Sequence, residues 1–488
     1  MLAWTPTDAA KVCRIPPGRE VFDRLLLVQP HLDAPNRASV RAMALQQQDF
    51  RWGVGTSAYQ IEGAWDVDGK GPSIWDTMAH SLPMSDTGDV ACDHYNRIDQ
   101  DLDLLERIGV NAYHFSTAWS RVLPNGVGRP NRAGLDFYDR LIDGLLERDI
   151  EPWLTLYHWD LPQALQDRGG WASRDSVAWF TEYAELMADR FGDRVKNWMT
   201  INEPWVIAVL GHLEGLFAPG ISDWKTTLAA SHHLLMAHGS ATIAIRNRVS
   251  EASVGLSLDC RPCEPASQSS DDAAAARHFD GFRNRWFFDP VFGKGYPRDM
   301  VDFYESAGRL DSDLIRPGDE LLISTPIDFC GVNYYTSVRV SAGDEERDDP
   351  EGPMGIDPPD GYTEMGWLVD PDALERFLVR VHEEWSPASI VVTENGASYS
   401  DSPSADGAVH DRRRIEYLDR HITAALAARD QGVPVDGYFV WSFLDNLEWR
   451  AGYSQRFGLV WVNHDTQQRV VKDSGLWYRD RIEQSSSG

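Results

Sequence analysis

Residues 197–205 read NWMTINEPW. Trp198 to Ile201 suit an extended chain, because aromatic and β-branched side chains pack well on a pleated surface. The apolar run stops at Asn202-Glu203-Pro204. An apolar strand that ends in polar residues is one instance of a pattern repeated along the chain. The other candidates are Arg51–Thr56, Ala112–Ala118, Pro152–Tyr157, Ser253–Leu258, Asp328–Asn333, Ile390–Thr393 and Gly437–Ser442, which with Asn197–Ile201 make eight. Between them lie amphipathic stretches with apolar spacing of three and four, such as Asp136–Glu147, Val177–Phe191 and Arg412–Ala428. Strands alternating with helices predict βα units, and eight of them predict an α/β fold with a single (β/α)8 TIM barrel and long βα loops. A two-domain doubly wound enzyme is disfavoured, because no G-x-G-x-x-G loop follows any strand.

The chain has 488 residues, of which 42% are hydrophobic and 25% charged, as expected of a globular protein. Its 46 basic residues against 75 acidic ones leave a formal charge of −29. That charge repels nucleic acid and anionic membranes alike, so neither is an expected partner. No apolar run approaches the roughly 20 residues of a membrane span. Five cysteines in no regular framework suit a reducing compartment, and Cys260-x-x-Cys263 lacks a second pair for a zinc site. The first residues carry no basic stretch leading into an apolar core, so a cytoplasmic location is expected. Three segments are expected: an extension over residues 1–46, disordered and dispensable if Met43 is the natural start, a barrel over 47–480, and a tail over 481–488.

Active sites of this fold lie at the carboxyl ends of the strands. Polar and aromatic residues collect there: Gln60 and Glu62, His158-Trp159-Asp160, Asn202-Glu203, Asn333-Tyr334-Tyr335 and Glu394-Asn395-Gly396. Glu203 and Glu394 end the fourth and seventh strand candidates, each beside an asparagine. Two carboxyls facing one bond suit acetal cleavage, one kept protonated to assist departure and the other ionised to attack. That chemistry needs no metal or organic cofactor. Nineteen tryptophans, among them Trp159, Trp171, Trp205, Trp367, Trp441 and Trp449, offer flat faces for a pyranose, although most are expected to pack in the core.

The motifs GTSAYQIEGAW (55–65), ACDHYNR (91–97), LYHWDLPQAL (156–165), TINEPW (200–205), GVNYYT (331–336), VTENGA (392–397), WSFLDNLEW (441–449) and RFGLVWV (456–462) resemble, in order, those of glycoside hydrolase family 1, the β-glucosidases and their relatives. The resemblance implies a retaining β-glycosidase, with Glu203 as general acid and base and Glu394 as nucleophile, their carboxyls about 5–5.5 Å apart. It implies that Gln60, His158, Asn202, Asn333, Glu448, Trp449 and Phe457 surround the sugar, with Trp441 as its floor, Tyr335 donating to the nucleophile, and Trp367 on the aglycone side. Glutamate at 448 resembles the pattern for a free sugar, since its charge would repel a 6-phosphate. Glucose is the expected glycone; a broader galactosidase or fucosidase, a transglycosylase and a non-catalytic sugar-binding barrel are the alternatives. The oligomeric state is left open.

One residue departs from the family pattern. Where relatives carry arginine in YRFS beside the nucleophile, this chain has His114. A histidine there is expected to lie within hydrogen-bonding reach of Glu394, directly or through one water.

Overall fold

The computed structural model describes residues 50–82, 86–343 and 361–486. Eight strands form a closed barrel: β1 (Arg51–Gly55), β2 (Ala112–Ser116), β3 (Glu151–Tyr157), β4 (Asn197–Asn202), β5 (Ser253–Cys260), β6 (Phe329–Tyr334), β7 (Ile390–Asn395) and β8 (Val435–Trp441). Each runs parallel to its neighbours, in sequence order, and β8 closes on β1. All eight sequence candidates are barrel strands. Four of them, β4 to β7, continue one or two residues further toward the carboxyl end than the apolar runs. The extra residues are Asn202, Asp259-Cys260, Tyr334 and Glu394-Asn395, so the polar ends belong to the ladder.

The helices wrap the barrel by the faces their spacing predicts. Arg132–Leu146 buries Phe137, Tyr138, Leu141, Ile142 and Leu145, while Ser176–Phe191 and Arg412–Asp430 bury comparable stripes. Residues 481–486, expected as a tail, continue the last helix, Asp473–Ser486; its buried Tyr478 donates to the Gly53 carbonyl at 3.1 Å. Residues 1–46 lie outside the described residues.

Inside the barrel the amino-terminal layer is apolar: Ala112, Trp153, Met199, Phe329, Val391 and Phe439 form one buried cluster. Its rings leave no space beside β1, where a Cβ on Gly53 would meet Phe439 at 2.2 Å. The next layer up is small and polar. His114 bonds Thr155 Oγ1 at 2.7 Å, and Gly331 lies where a Cβ would meet Ser257 Oγ and Thr393 Oγ1, each at 2.9 Å. That layer is the floor of the site.

A buried charge network braces the loop after β8. Lys472 Nζ donates to Asp401 Oδ2 at 2.7 Å and Asp445 Oδ1 at 2.8 Å, Arg456 donates to Asp445 Oδ2 at 2.8 Å, and Arg414 pairs with Asp401 and Asp411. Removing one member strands buried charge on the others. Lys472→Met should therefore lose about 3–5 kcal/mol in urea titration. A loss under about 1 kcal/mol would remove the network from the stability account.

Buried titratable groups predict how stability follows pH. Burial pushes His114, His212 and His233 down to about 4, and His238 and His421 to about 3. From about pH 4 to 6.5 the unfolded chain binds protons that these imidazoles refuse in the fold, so their contribution rises with pH. Burial also raises Asp160 and Glu448 to about 8. Above about pH 4.5 the unfolded carboxyls ionise while the folded ones hold their protons, so this contribution falls until about pH 8. The melting temperature should peak at about pH 6–7. A midpoint that rises steadily through pH 8 would contradict these assignments.

Candidate active site

Strict strand alternation would not build this site. Val391 and Thr393 of β7 face the barrel interior, which by period two sends Glu394 outward. Against β6, however, the register jumps: Val332 pairs with Val392, but Asn333 pairs with Glu394. The bulge turns Glu394 inward beside Asn333. A second irregularity, between Met199 and Asn202 against β5, does the same on β4, where Thr200 faces outward to His238. Bulges re-aim side chains in this way. Two residues on, position 396 is a glycine because a Cβ there would meet the Trp441 carbonyl oxygen at 1.7 Å.

Asn333 joins the two carboxyls. Its amide donates to Glu203 Oε1 at 2.7 Å and Asn202 Oδ1 at 3.0 Å, and its own oxygen accepts from Thr393 at 2.6 Å. Glu203 sits at φ 51° and ψ 68°, with its backbone N–H on Ser257 O at 2.9 Å. This left-handed residue turns the chain from β4 into the helix Pro204–His212. Glu394 accepts from the Tyr335 hydroxyl at 2.6 Å. Glu394 Oε1 has no hydrogen-bond partner among the described residues.

The two carboxyls differ electrostatically. Burial, then the charges of Asp259 and Glu394, push Glu203 well above the usual carboxylate range. Burial also raises Glu394, but the Tyr335 hydroxyl opposes it by stabilising the anion. At neutral pH the pair holds a proton, and Glu203 is its better holder.

Around them stands an aromatic box. Trp441 stacks on His158 at 5.8 Å and 18°, Trp449 lies 6.1 Å from His158 and 4.4 Å from Trp159, and Trp367 and Phe457 pack on Tyr335 at 5.2 and 6.2 Å. Gln60 ties the loop after β8 to β1, donating to Leu447 O at 2.8 Å and Asn446 Oδ1 at 3.2 Å. His158 Nε2 faces the Asn202 amide at 3.2 Å. His158 Nδ1 and Glu448 Oε2 are buried and without hydrogen-bond partners among the described residues. Two flat faces and several unpaired polar atoms around a carboxyl pair suit a pyranose.

Comparison with known proteins agrees with this geometry. The family model described as Glycosyl hydrolase family 1 matches residues 44–487. The chain belongs to glycosyl hydrolase family 1. It is therefore a glycoside hydrolase on a (β/α)8 barrel. Beta-glucosidase A of Thermotoga maritima is 46% identical over 447 residues, covering 89% of this chain and 97% of the relative. A bifunctional beta-D-glucosidase/beta-D-fucosidase of Bifidobacterium breve is 42% identical, covering 90% and 98%. The solved Thermotoga maritima beta-glucosidase in complex with glucoimidazole superposes with a TM-score of 0.84 at 45% identity, covering 90% of this chain and 98% of that one.

Within this family 1 barrel some expected residues lie elsewhere. His114 makes no direct bond to Glu394: its Nε2 is taken by Thr155 and its Nδ1 has no hydrogen-bond partner among the described residues. Trp171 packs against Tyr157 and Phe180 outside the barrel, and Trp205 against Phe282. Glu62 is committed to Arg121 at 2.8 Å and Tyr138 at 2.6 Å. Asn395 faces the opposite way from Glu394, donating to Tyr334 O at 2.6 Å and Tyr417 at 3.0 Å. Cys260 and Cys263 point at different carbonyls, those of Leu258 and Ala276, and Cys92, Cys260, Cys263 and Cys330 are free thiols. Among the described residues no three or more His, Cys, Asp or Glu are grouped as metal ligands, and no helix is long and apolar enough to cross a membrane.

Sequence reasoning missed Asp259 and Arg283. They form a buried ion pair between Asn333, the ladder partner of Asp259, and Trp205, under Arg283, yet lie 24 positions apart (283 − 259) in no shared motif.

Proposed function

We propose that the protein is a retaining β-glucosidase that removes terminal non-reducing β-D-glucosyl residues from β-glucosides and cello-oligosaccharides. The observation that carries this is the buried Glu203–Asn333–Glu394 layer, in which two facing carboxyls have unlike donors. Glu203 is protonated in the resting site and gives its proton to the glycosidic oxygen as Glu394 attacks the anomeric carbon. The glycosyl–Glu394 ester forms and the aglycone leaves as an alcohol. Glu203, now an anion, takes a proton from water entering on the same side, and the ester is cleaved with net retention. Tyr335 holds Glu394 in line, and its hydroxyl stabilises the carboxylate.

His158, Asn202 and Gln60 bind hydroxyls on one flank of the sugar and Glu448 with Trp449 on the other, over the Trp441 face. Trp367 borders the aglycone. The Glu448 carboxyl offers a 6-phosphate no positive partner, which disfavours a 6-phosphorylated glycone. His114, neutral on the floor, supplies no charge to the nucleophile. The free cysteines fit a reducing, cytoplasmic setting, and the breakdown of cellulose-derived oligosaccharides is the expected use.

The test is release of nitrophenol from p-nitrophenyl β-D-glucoside, set against the galactoside, the fucoside and cello-oligosaccharides. Glucoside turnover that exceeds the others supports the assignment. No release from any aryl β-glycoside would overturn it, and product analysis with an added acceptor sugar separates hydrolysis from transglycosylation.

A further inference from the structure

A third buried acid stands beside the reacting pair with no part in the steps above. Asp259, on β5, is the ladder partner of Asn333, whose amide donates to Glu203. Its carboxylate pairs with Arg283, and the two side chains are only 8% and 4% exposed. The Arg283 guanidinium sits over Trp205, 3.4 Å from the ring centroid. Trp205 is two residues beyond Glu203, in the first turn of the helix Pro204–His212. The ion pair therefore bridges β5 and the helix that presents Glu203.

The backbone around Arg283 is built to hold it. Gly281–Arg285 form a π-helical turn between the helices Ser270–Asp280 and Trp286–Val291, a distortion often found at functional sites. A Cβ on Gly281 would meet Met300 Sδ at 2.5 Å, so the turn packs close. Asn284 fastens it to the end of β5: Arg261 N donates to its oxygen and its amide donates to Arg261 O, each at 3.1 Å. Burying an ion pair brings little net stability, so the place of this one beside the chemistry is the informative fact.

The groups acting on Glu203 are Glu394 from β7, Asp259 from β5, Asn333 from β6, which donates to it, Tyr335 just beyond, and Arg283 from the π-turn. Those facing Glu394 are Tyr335, Asp259 and Glu448. His114 and His158 are held neutral by burial. Arg283 is the cation paired with Asp259 in this set.

We propose that Asp259 and Arg283 are a positioning pair that sets the charge balance of the reaction: Asp259 keeps the proton on Glu203 until the aglycone oxygen takes it, and Arg283 limits the repulsion so that Glu394 stays an anion. The inference rests on the assignment of Glu203 and Glu394 above. Asp259→Asn removes the anion of the pair and keeps the cation, so Glu203 loses its proton at lower pH. The alkaline limb of kcat/KM moves down by about 1–2 pH units. Arg283→Gln removes the cation paired with Asp259 and moves the limb up. Because Asp259 faces both carboxyls, the acid limb moves the same way in each variant, while Arg283→Lys keeps the wild-type limbs.

The experiment is the pH profile of kcat/KM on p-nitrophenyl β-D-glucoside for these variants, with Glu203→Ala as reference. Opposite displacements in Asp259→Asn and Arg283→Gln support the pair. If Asp259→Asn does not fold, the upward shift in Arg283→Gln carries the test. Lower turnover with unmoved limbs, or displacement of both variants in one direction, overturns the pair's role while the loss of the alkaline limb in Glu203→Ala keeps the assignment of Glu203. An alkaline limb that survives in Glu203→Ala overturns that assignment and the pair with it.

Discussion

Glu394→Ala is expected to cut turnover of p-nitrophenyl β-D-glucoside by roughly 10⁴–10⁶-fold, the scale seen when a covalent nucleophile is deleted. The substitution also removes a buried carboxyl that faces Asp259 and Glu448 and sits above its ordinary range. Stability near neutral pH should therefore hold or rise, because a strained acid has gone. Activity and stability are expected to move apart, which a misfolded variant would not do. Azide can enter the space on the α side of the sugar. It should restore turnover and yield the α-glucosyl azide, the product of one displacement with Glu203 still acting as acid. Turnover within about tenfold of wild type would remove Glu394 from the nucleophile's place.

Glu203→Ala should show a loss that depends on the aglycone. Where the leaving group needs a proton, as in cello-oligosaccharides, the expected loss is about 10²–10⁴-fold. With 2,4-dinitrophenyl β-D-glucoside, whose phenolate leaves unaided, formation of the glycosyl-enzyme should be nearly unimpaired and its hydrolysis slow. An initial burst followed by a slow steady state is the expected trace. Azide, attacking the glycosyl–Glu394 ester from the β side, should accelerate the second step and give the β-glucosyl azide. An equal loss across good and poor leaving groups would deny Glu203 its role as acid.

The barrel was legible because its signals are local. Each strand is a short apolar run that stops at polar residues, and each helix carries its own stripe, so neither needs knowledge of its neighbours. The site was legible by residue type and less so by direction. Alternation along Ile390–Asn395 points Glu394 away from the barrel, and only the register against β6, a relation between distant segments, turns it inward. Asn202 and Asn395 look equivalent in sequence, each beside a glutamate. The bulges aim Asn202 at His158 and leave Asn395 facing the Tyr417 helix.

His114 departs from the family pattern in sequence, but its bond is to Thr155, a cross-strand partner that the sequence of β2 does not reveal. Burial keeps the imidazole neutral, so the charge that arginine would place there has no substitute on that strand. Asp259 and Arg283 were illegible for a similar reason. Their meeting depends on a π-turn inserted between two helices, and the turn has no spacing signature.

The central claim is that Glu394 forms a covalent bond to the sugar while Glu203 manages the proton. Incubation with 2,4-dinitrophenyl 2-deoxy-2-fluoro-β-D-glucoside, which slows breakdown of the intermediate, followed by peptide mass spectrometry, tests it most directly. The fluoroglucosyl mass should appear on the peptide spanning VTENGA and map to Glu394. A label on any other residue, or α-glucose as the first product of the natural substrate with no labelled peptide, would contradict the account.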